Sequence, residues 1–143
     1  MLILACDHGG FELKEQLKDY LTGKGQKVED MGALVYDAQD DFPLFAKPAI
    51  KKILADKKNK GILICGSGVG VNICCNRHIG IYAAVCRTAE EAAVARGHND
   101  INVLNLGGRN TDFNTAKQIA DAFLTTKCLG GKHTRRMKEC DEV

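Results

Sequence analysis

A cysteine stands at the mouth of a glycine loop in GILICGSGVGVNI, Gly61 to Ile73. Glycines at 66, 68 and 70 permit positive φ and close backbone approach. Successive N–H groups leading into a helix start form a concavity that favours negative charge. A thiolate is favoured beside such donors, so Cys65 can act as nucleophile or base. It can equally be a small apolar residue closing a strand. The loop has two readings as well, an anion site or a tight strand-to-helix turn with no ligand. Spacing excludes three familiar loops. No lysine follows the glycines as a Walker loop requires, and the sixth position counted from Gly66 or Gly68 is Val71 or Ile73, not the glycine of a dinucleotide fingerprint. A cysteine-phosphatase loop needs arginine where Val71 stands.

Further residues with chemical capacity sit beside glycines. Asp7 and His8 precede Gly9-Gly10, which suits a hydroxyl contact from Asp7 and a phosphate contact from His8; a carboxylate there can also simply cap a helix. His98 and Asn99 follow Gly97, where the imidazole can act as a general acid or as a polar helix end. Arg109 follows two glycines in LGGRN, and GGKHTRR repeats that design with Lys132 and Arg136. Guanidinium groups grip phosphate bidentately, so the basic set together points to phosphate recognition.

The elements that must position these residues alternate in type. Strands are expected at 2–6, 26–29, 61–65, 81–85 and 102–106. Helices are expected at 11–21, from Pro43 to about 56 with Pro48 near its start, and at 68–77. A further helix should run from a Thr88–Glu91 capping box to a Gly97 stop, then one from an Asp112 cap to 124, and a basic one at 132–139. Residues 31–42 carry no period and read as a loop. Alternating βα units of this length make a parallel sheet with helices on both faces. The expected fold is a single α/β domain over 1–143, a Rossmann-like three-layer αβα sandwich around a five-stranded parallel sheet. Ligands in such folds bind beyond the carboxyl ends of the strands, where Cys6 to His8, Cys65 to Gly70 and Gly107 to Arg109 fall.

Composition narrows the class. The 143 residues are 45% hydrophobic and 27% charged with a net charge of +2, which gives no electrostatic case for nucleic acid or an anionic membrane. No apolar run reaches a membrane span, and the first breaks at Asp7, which argues against a signal peptide. Seven cysteines without C-x-x-C or Cys/His ligand spacing read as reduced thiols of a cytosolic protein, mostly core fillers, and not as a metal site.

CDHGGFELKEQL, GILICGSGVG, RGHNDINVLNLGGR and GGKHTRR occur in this order. With these motifs the chain closely resembles the type B ribose 5-phosphate isomerases, within the group that includes galactose 6-phosphate isomerase subunits, from Leu2 to about Val143. The resemblance implies a cofactor-free aldose–ketose isomerase that interconverts ribose 5-phosphate and ribulose 5-phosphate through an enediolate. It implies that Cys65 is the base between C2 and C1 and that His98 is the acid of ring opening. Asp7, His8, Asn99 and the loop Gly66, Ser67, Gly68, Val69 and Gly70 match sugar- and enediolate-binding positions. Arg109, Lys132 and Arg136 match phosphate-binding positions that are usually arginine. Sites between subunits imply a homodimer or a dimer of dimers.

Lys132 departs from arginine, so one bidentate grip becomes a point charge. Ser67 keeps a hydroxyl where threonine is common. Val71 occupies the position at which one branch of the family carries a glutamate base, so the cysteine branch fits better. A carbon acid needs a placed base and a held oxyanion. These typically contribute about 10²–10⁴ and, per lost donor, about 10²–10³ in rate. On this reading the loop is the reacting end, and His8, Arg109, Lys132 and Arg136 hold phosphate. A hexose 6-phosphate isomerase, for allose or galactose, and a phosphosugar-binding module without catalysis are the alternatives.

Overall fold

The computed structural model describes residues 1–142, so the last residue of the matched span, Val143, lies outside the described residues. Five strands, β1 (Leu2–Cys6), β2 (Val28–Asp30), β3 (Lys60–Cys65), β4 (Ala83–Val85) and β5 (Val103–Gly107), form one parallel sheet in the order β2-β1-β3-β5-β4. Six α-helices connect and flank them: α1 (Phe11–Gly23), α2 (Phe42–Leu54), α3 (Val69–Asn76), α4 (Ala89–Asn99), α5 (Phe113–Thr125) and α6 (Lys132–Glu139). This is the expected αβα sandwich.

Strand alternation divides the core. Leu2, Leu4, Cys6, Ile62, Ile64, Leu104 and Leu106 pack against α1 and α5, with Ala92 of α4. Ile3, Ala5, Leu63, Cys65 and Val103 face α2 and α3. Both faces are covered, which is why the central strands read as continuous apolar runs. Cys65 therefore points toward the α2–α3 layer.

Several boundaries differ from expectation. β2 begins at Val28, because Leu2 pairs with Val28 and the stretch before it is the turn leaving α1. β4 pairs with β5 only from Ala83, and Ile81 and Tyr82 precede the ladder. Pro48 lies inside α2 but is exposed, and, lacking an N–H, it cannot bond the Leu44 carbonyl one turn back. Gly97 does not stop α4, which runs to Asn99 and ends with Asp100 at φ 47°. Aspartate tolerates this left-handed conformation. Here Arg96 Nη1 donates to the Asp100 carboxylate at 2.8 Å and to the Ile101 carbonyl at 2.6 Å, fixing the turn. The Thr88 cap holds: its hydroxyl accepts the Glu91 N–H, while the Glu91 carboxylate reaches back to the Arg87 N–H. Asp112 accepts the Thr115 N–H as expected.

Candidate active site

The chain leaves β1 toward β2 on one side and β3 on the other, so the sheet's switch point lies between the carboxyl ends of β1 and β3. Three connections meet there. The Asp7 N–H donates to the Ile64 carbonyl, the Gly108 N–H to the Cys65 carbonyl and the Arg109 N–H to the Gly66 carbonyl. The glycines are needed for this convergence. A Cβ on Gly9 would stand 2.7 Å from the Gly66 nitrogen, and one on Gly108 would collide with the Gly9 carbonyl oxygen. Asp7, His8, Phe42, Cys65, Gly66, Ser67, Gly70, Arg109 and Asn110 line a cleft of about 450 Å³ at this edge.

Cys65 is 5% exposed. Its sulfur accepts the Gly68 N–H at 3.2 Å, in a turn that Gly68 makes possible with φ 81°. Val69 opens α3, and its N–H donates to the Ser67 hydroxyl. The N–H groups of Ser67 and Gly70 have no partner among the described residues, so the cleft offers donors for a negative oxygen. Arg109 is exposed, with its guanidinium lying against Gly66. Three other thiols are buried in the core. Burial pushes Cys6 and Cys75 up to about 12 and Cys86 up to about 11, which keeps them protonated core residues.

Asp7 is buried and its Oδ1 accepts the Gly9 N–H, so it does cap the short turn His8–Gly10. His8 is held by Asp40, which sequence reasoning passed over. The Asp40 Oδ1 lies 2.8 Å from both the His8 backbone nitrogen and Nδ1. Asp40 sits in the aperiodic loop before α2, 32 residues from its partner, and Phe42 and Asn110 likewise carry no local signal. Among the described residues, Asp7, His8 and Asp40 are the group whose ligand atoms come close enough to share a cation, within 4.8 Å. One oxygen of each carboxylate already serves a hydrogen bond, and His8 Nδ1 is engaged by Asp40.

The remaining predicted residues are elsewhere. His98 and Asn99 are exposed at the end of α4, and Lys132 and Arg136 are exposed on α6. The His98 and His133 rings stack at 4.6 Å, and the Asn99 amide contacts the Met137 sulfur at 3.5 Å. Burial, with the neighbouring His98 ring and the charges of Lys132 and Arg136, holds His133 below the usual imidazole range. α4 runs back along the sheet, so its end lies at the amino edge where β5 begins. Cys65 pairs with Gly107 at the other end of β5. Five residues of strand put about 15 Å between the two edges. One chain therefore unites Asp7, His8, Cys65 to Gly70 and Arg109, but leaves His98, Asn99, Lys132 and Arg136 as a separate group.

The family model described as Ribose/Galactose Isomerase matches residues 2–140. The chain belongs to this family. It is 37% identical to ribose-5-phosphate isomerase B of Escherichia coli over 137 residues, which cover 96% of this chain and 91% of that protein. Its fold superposes on a ribose 5-phosphate isomerase of Thermotoga maritima with a TM-score of 0.96 and 44% identity, covering 99% and 97% of the two chains. The enzyme of Mycoplasma genitalium with bound ribulose-5-phosphate gives 0.95 and 37%, covering 99% and 93%.

Proposed function

We propose that the protein interconverts ribose 5-phosphate and ribulose 5-phosphate. The observation that carries this reading is Cys65 with an N–H aimed at its sulfur, in a cleft with free N–H donors and an arginine, in a chain of this family. In the forward sense, the Cys65 thiolate removes the proton from C2 of the open aldose. The C2–H electron pair forms the C1–C2 double bond, and the carbonyl oxygen becomes the enediolate oxygen. The Ser67 and Gly70 N–H groups hold that charge, and Asp7 holds a neighbouring hydroxyl. The C2 hydroxyl proton passes to the C1 oxygen, and return of the first proton to C1, as the C2 oxygen's electron pair forms the new carbonyl, gives the ketose. His8 and Arg109 receive the phosphate. The scheme calls for no metal or cofactor.

The separation of His98, Asn99, Lys132 and Arg136 from Cys65 supports a site shared between two copies. His98 of the partner subunit would supply the acid for ring opening, and the basic residues of its α6 would complete the phosphate grip. A homodimer, or a dimer of dimers, follows. The seven unpaired thiols suit a reducing cytoplasm, and the reaction belongs to pentose phosphate metabolism.

Two experiments test this. Cys65→Ala should lower kcat for isomerisation by about 10²–10⁴ with folding intact; near-wild-type activity refutes the base. Cys65→Ala and His98→Ala chains, each inactive, should recover about one quarter of wild-type activity after unfolding and refolding together, since half the dimers are mixed and each has one intact site. No recovery refutes a shared site.

A further inference from the structure

We infer that Asp40 is a positioning residue that holds His8 as an imidazolium, with Nδ1 engaged and Nε2–H left as the donor to an anionic group in the cleft. This rests on the proposed role of the cleft in holding a sugar phosphate.

The geometry is specific. Asp40 Oδ1 accepts both the His8 backbone N–H and the ring Nδ1–H, each at 2.8 Å, so the ring is fixed against rotation and its tautomer is set. The Asp40 side chain is only 6% exposed, and its Oδ2 is buried without a hydrogen-bond partner. A carboxylate withdrawn from water with an unpartnered oxygen is costly unless a cation balances it. Its side-chain partner among the described residues is His8. The charge of Asp40 is therefore directed at the imidazole.

The consequence is electrostatic. With Nδ1–H committed to Asp40, a neutral ring would present a bare Nε2 lone pair to the cleft and repel an anion. A charged ring presents a second N–H donor. The Asp40 bond to Nδ1 is the chief cause that holds His8 above the ordinary imidazole range, with Asp7 adding in the same sense against a smaller effect of burial. The other charged or titratable groups facing His8 are Glu12 and Glu15 of α1, Tyr36 of the loop before α2, Cys65 at the end of β3 and Arg109 after β5. Lys14 on α1 is bound to Asp30 instead. Because the folded value is raised, anion affinity is complete at low pH. It is lost as pH rises through the raised value, later than for a free histidine near 6.5.

The test uses the full-length protein, its isosteric variant Asp40→Asn, and inorganic sulfate, a dianion that does not titrate in the histidine range. The His8 ring is followed by NMR, and sulfate affinity is measured by competition against ribose 5-phosphate turnover and by titration. In the wild type, His8 should titrate above its ordinary value and sulfate should shift the Nε2 signal. In Asp40→Asn the His8 titration should move down, and the fall in sulfate affinity should move with it, a loss of about tenfold for each unit of movement at pH above the wild-type titration. A wild-type His8 that titrates at its ordinary value overturns the inference even if the variant does not fold. So does a sulfate profile that weakens equally at every pH. Failure of the isomerase reading is separate: the wild type would bind sulfate through His8 and yet leave ribose 5-phosphate unconverted.

Discussion

Replacing Gly9 by alanine tests whether loop-to-loop contact positions Cys65. The added Cβ would stand 2.7 Å from the Gly66 nitrogen and 2.8 Å from its Cα. Carbon contacts sit at about 3.5–4.0 Å, so the two backbones must part by most of an ångström. Gly66 has little freedom to yield. Its carbonyl accepts the Arg109 N–H at 3.0 Å, and the adjacent Cys65 carbonyl accepts the Gly108 N–H at 2.8 Å. Overpacking of this kind costs about 1–3 kcal/mol, and a displacement of about 1 Å at a reacting group costs about 10² in rate. The expected result is a lower urea midpoint and a fall in kcat/KM of that order. Gly23→Ala is the control. Nothing lies within 4 Å of its Cβ position at the end of α1. It should gain about 0.5–1 kcal/mol with unchanged activity. Equal behaviour of the two variants, or a Gly9→Ala protein with wild-type stability and rate, would refute the reasoning.

Three further outcomes follow from the same structure. Lys14 is fully buried, with Nζ 2.7 Å from both Asp30 oxygens and from the Ala33 carbonyl; Lys14→Met should cost about 3–5 kcal/mol in urea unfolding. Burial acts to raise Asp30, but Lys14, the Gly32 N–H and Lys18 outweigh it and hold the carboxyl below its ordinary range. A depressed folded value means this stabilisation is present above the unfolded value of about 3.9 and is lost as pH falls through the folded one, so the acid slope should flatten in Lys14→Met. Iodoacetamide should modify the exposed Cys140 without loss of activity, leave Cys6, Cys75 and Cys86 untouched, and inactivate in step with Cys65 labelling, as read by peptide mass spectrometry. Activity lost with Cys65 unmodified counts against its role. Arg109→Lys keeps the charge but loses the planar fork, and should raise KM for ribose 5-phosphate about tenfold with kcat little changed.

Local physics set much of this protein from its sequence. Continuous apolar runs marked β1, β3 and β5 because both sheet faces are covered. Thr88 and Asp112 announced helix starts because a side-chain oxygen satisfies an orphan N–H within the same turn. The glycines of Cys65–Gly70 marked a close backbone approach, and the βα alternation put Asp7, Cys65 and Arg109 at one edge. Tertiary structure decided what local spacing cannot express. Gly97 was outvoted as a stop because Arg96 and Asp100 close the turn beyond it. Asp40 gave no signal, because its aperiodic loop is ordered by a histidine 32 residues away. The sheet order puts β1 beside β3 and β5 beyond it, and thereby gathers one half of the candidate site at the carboxyl edge while holding the other half a strand's length away. Those choices depend on which buried surfaces pack together, a property of the whole chain.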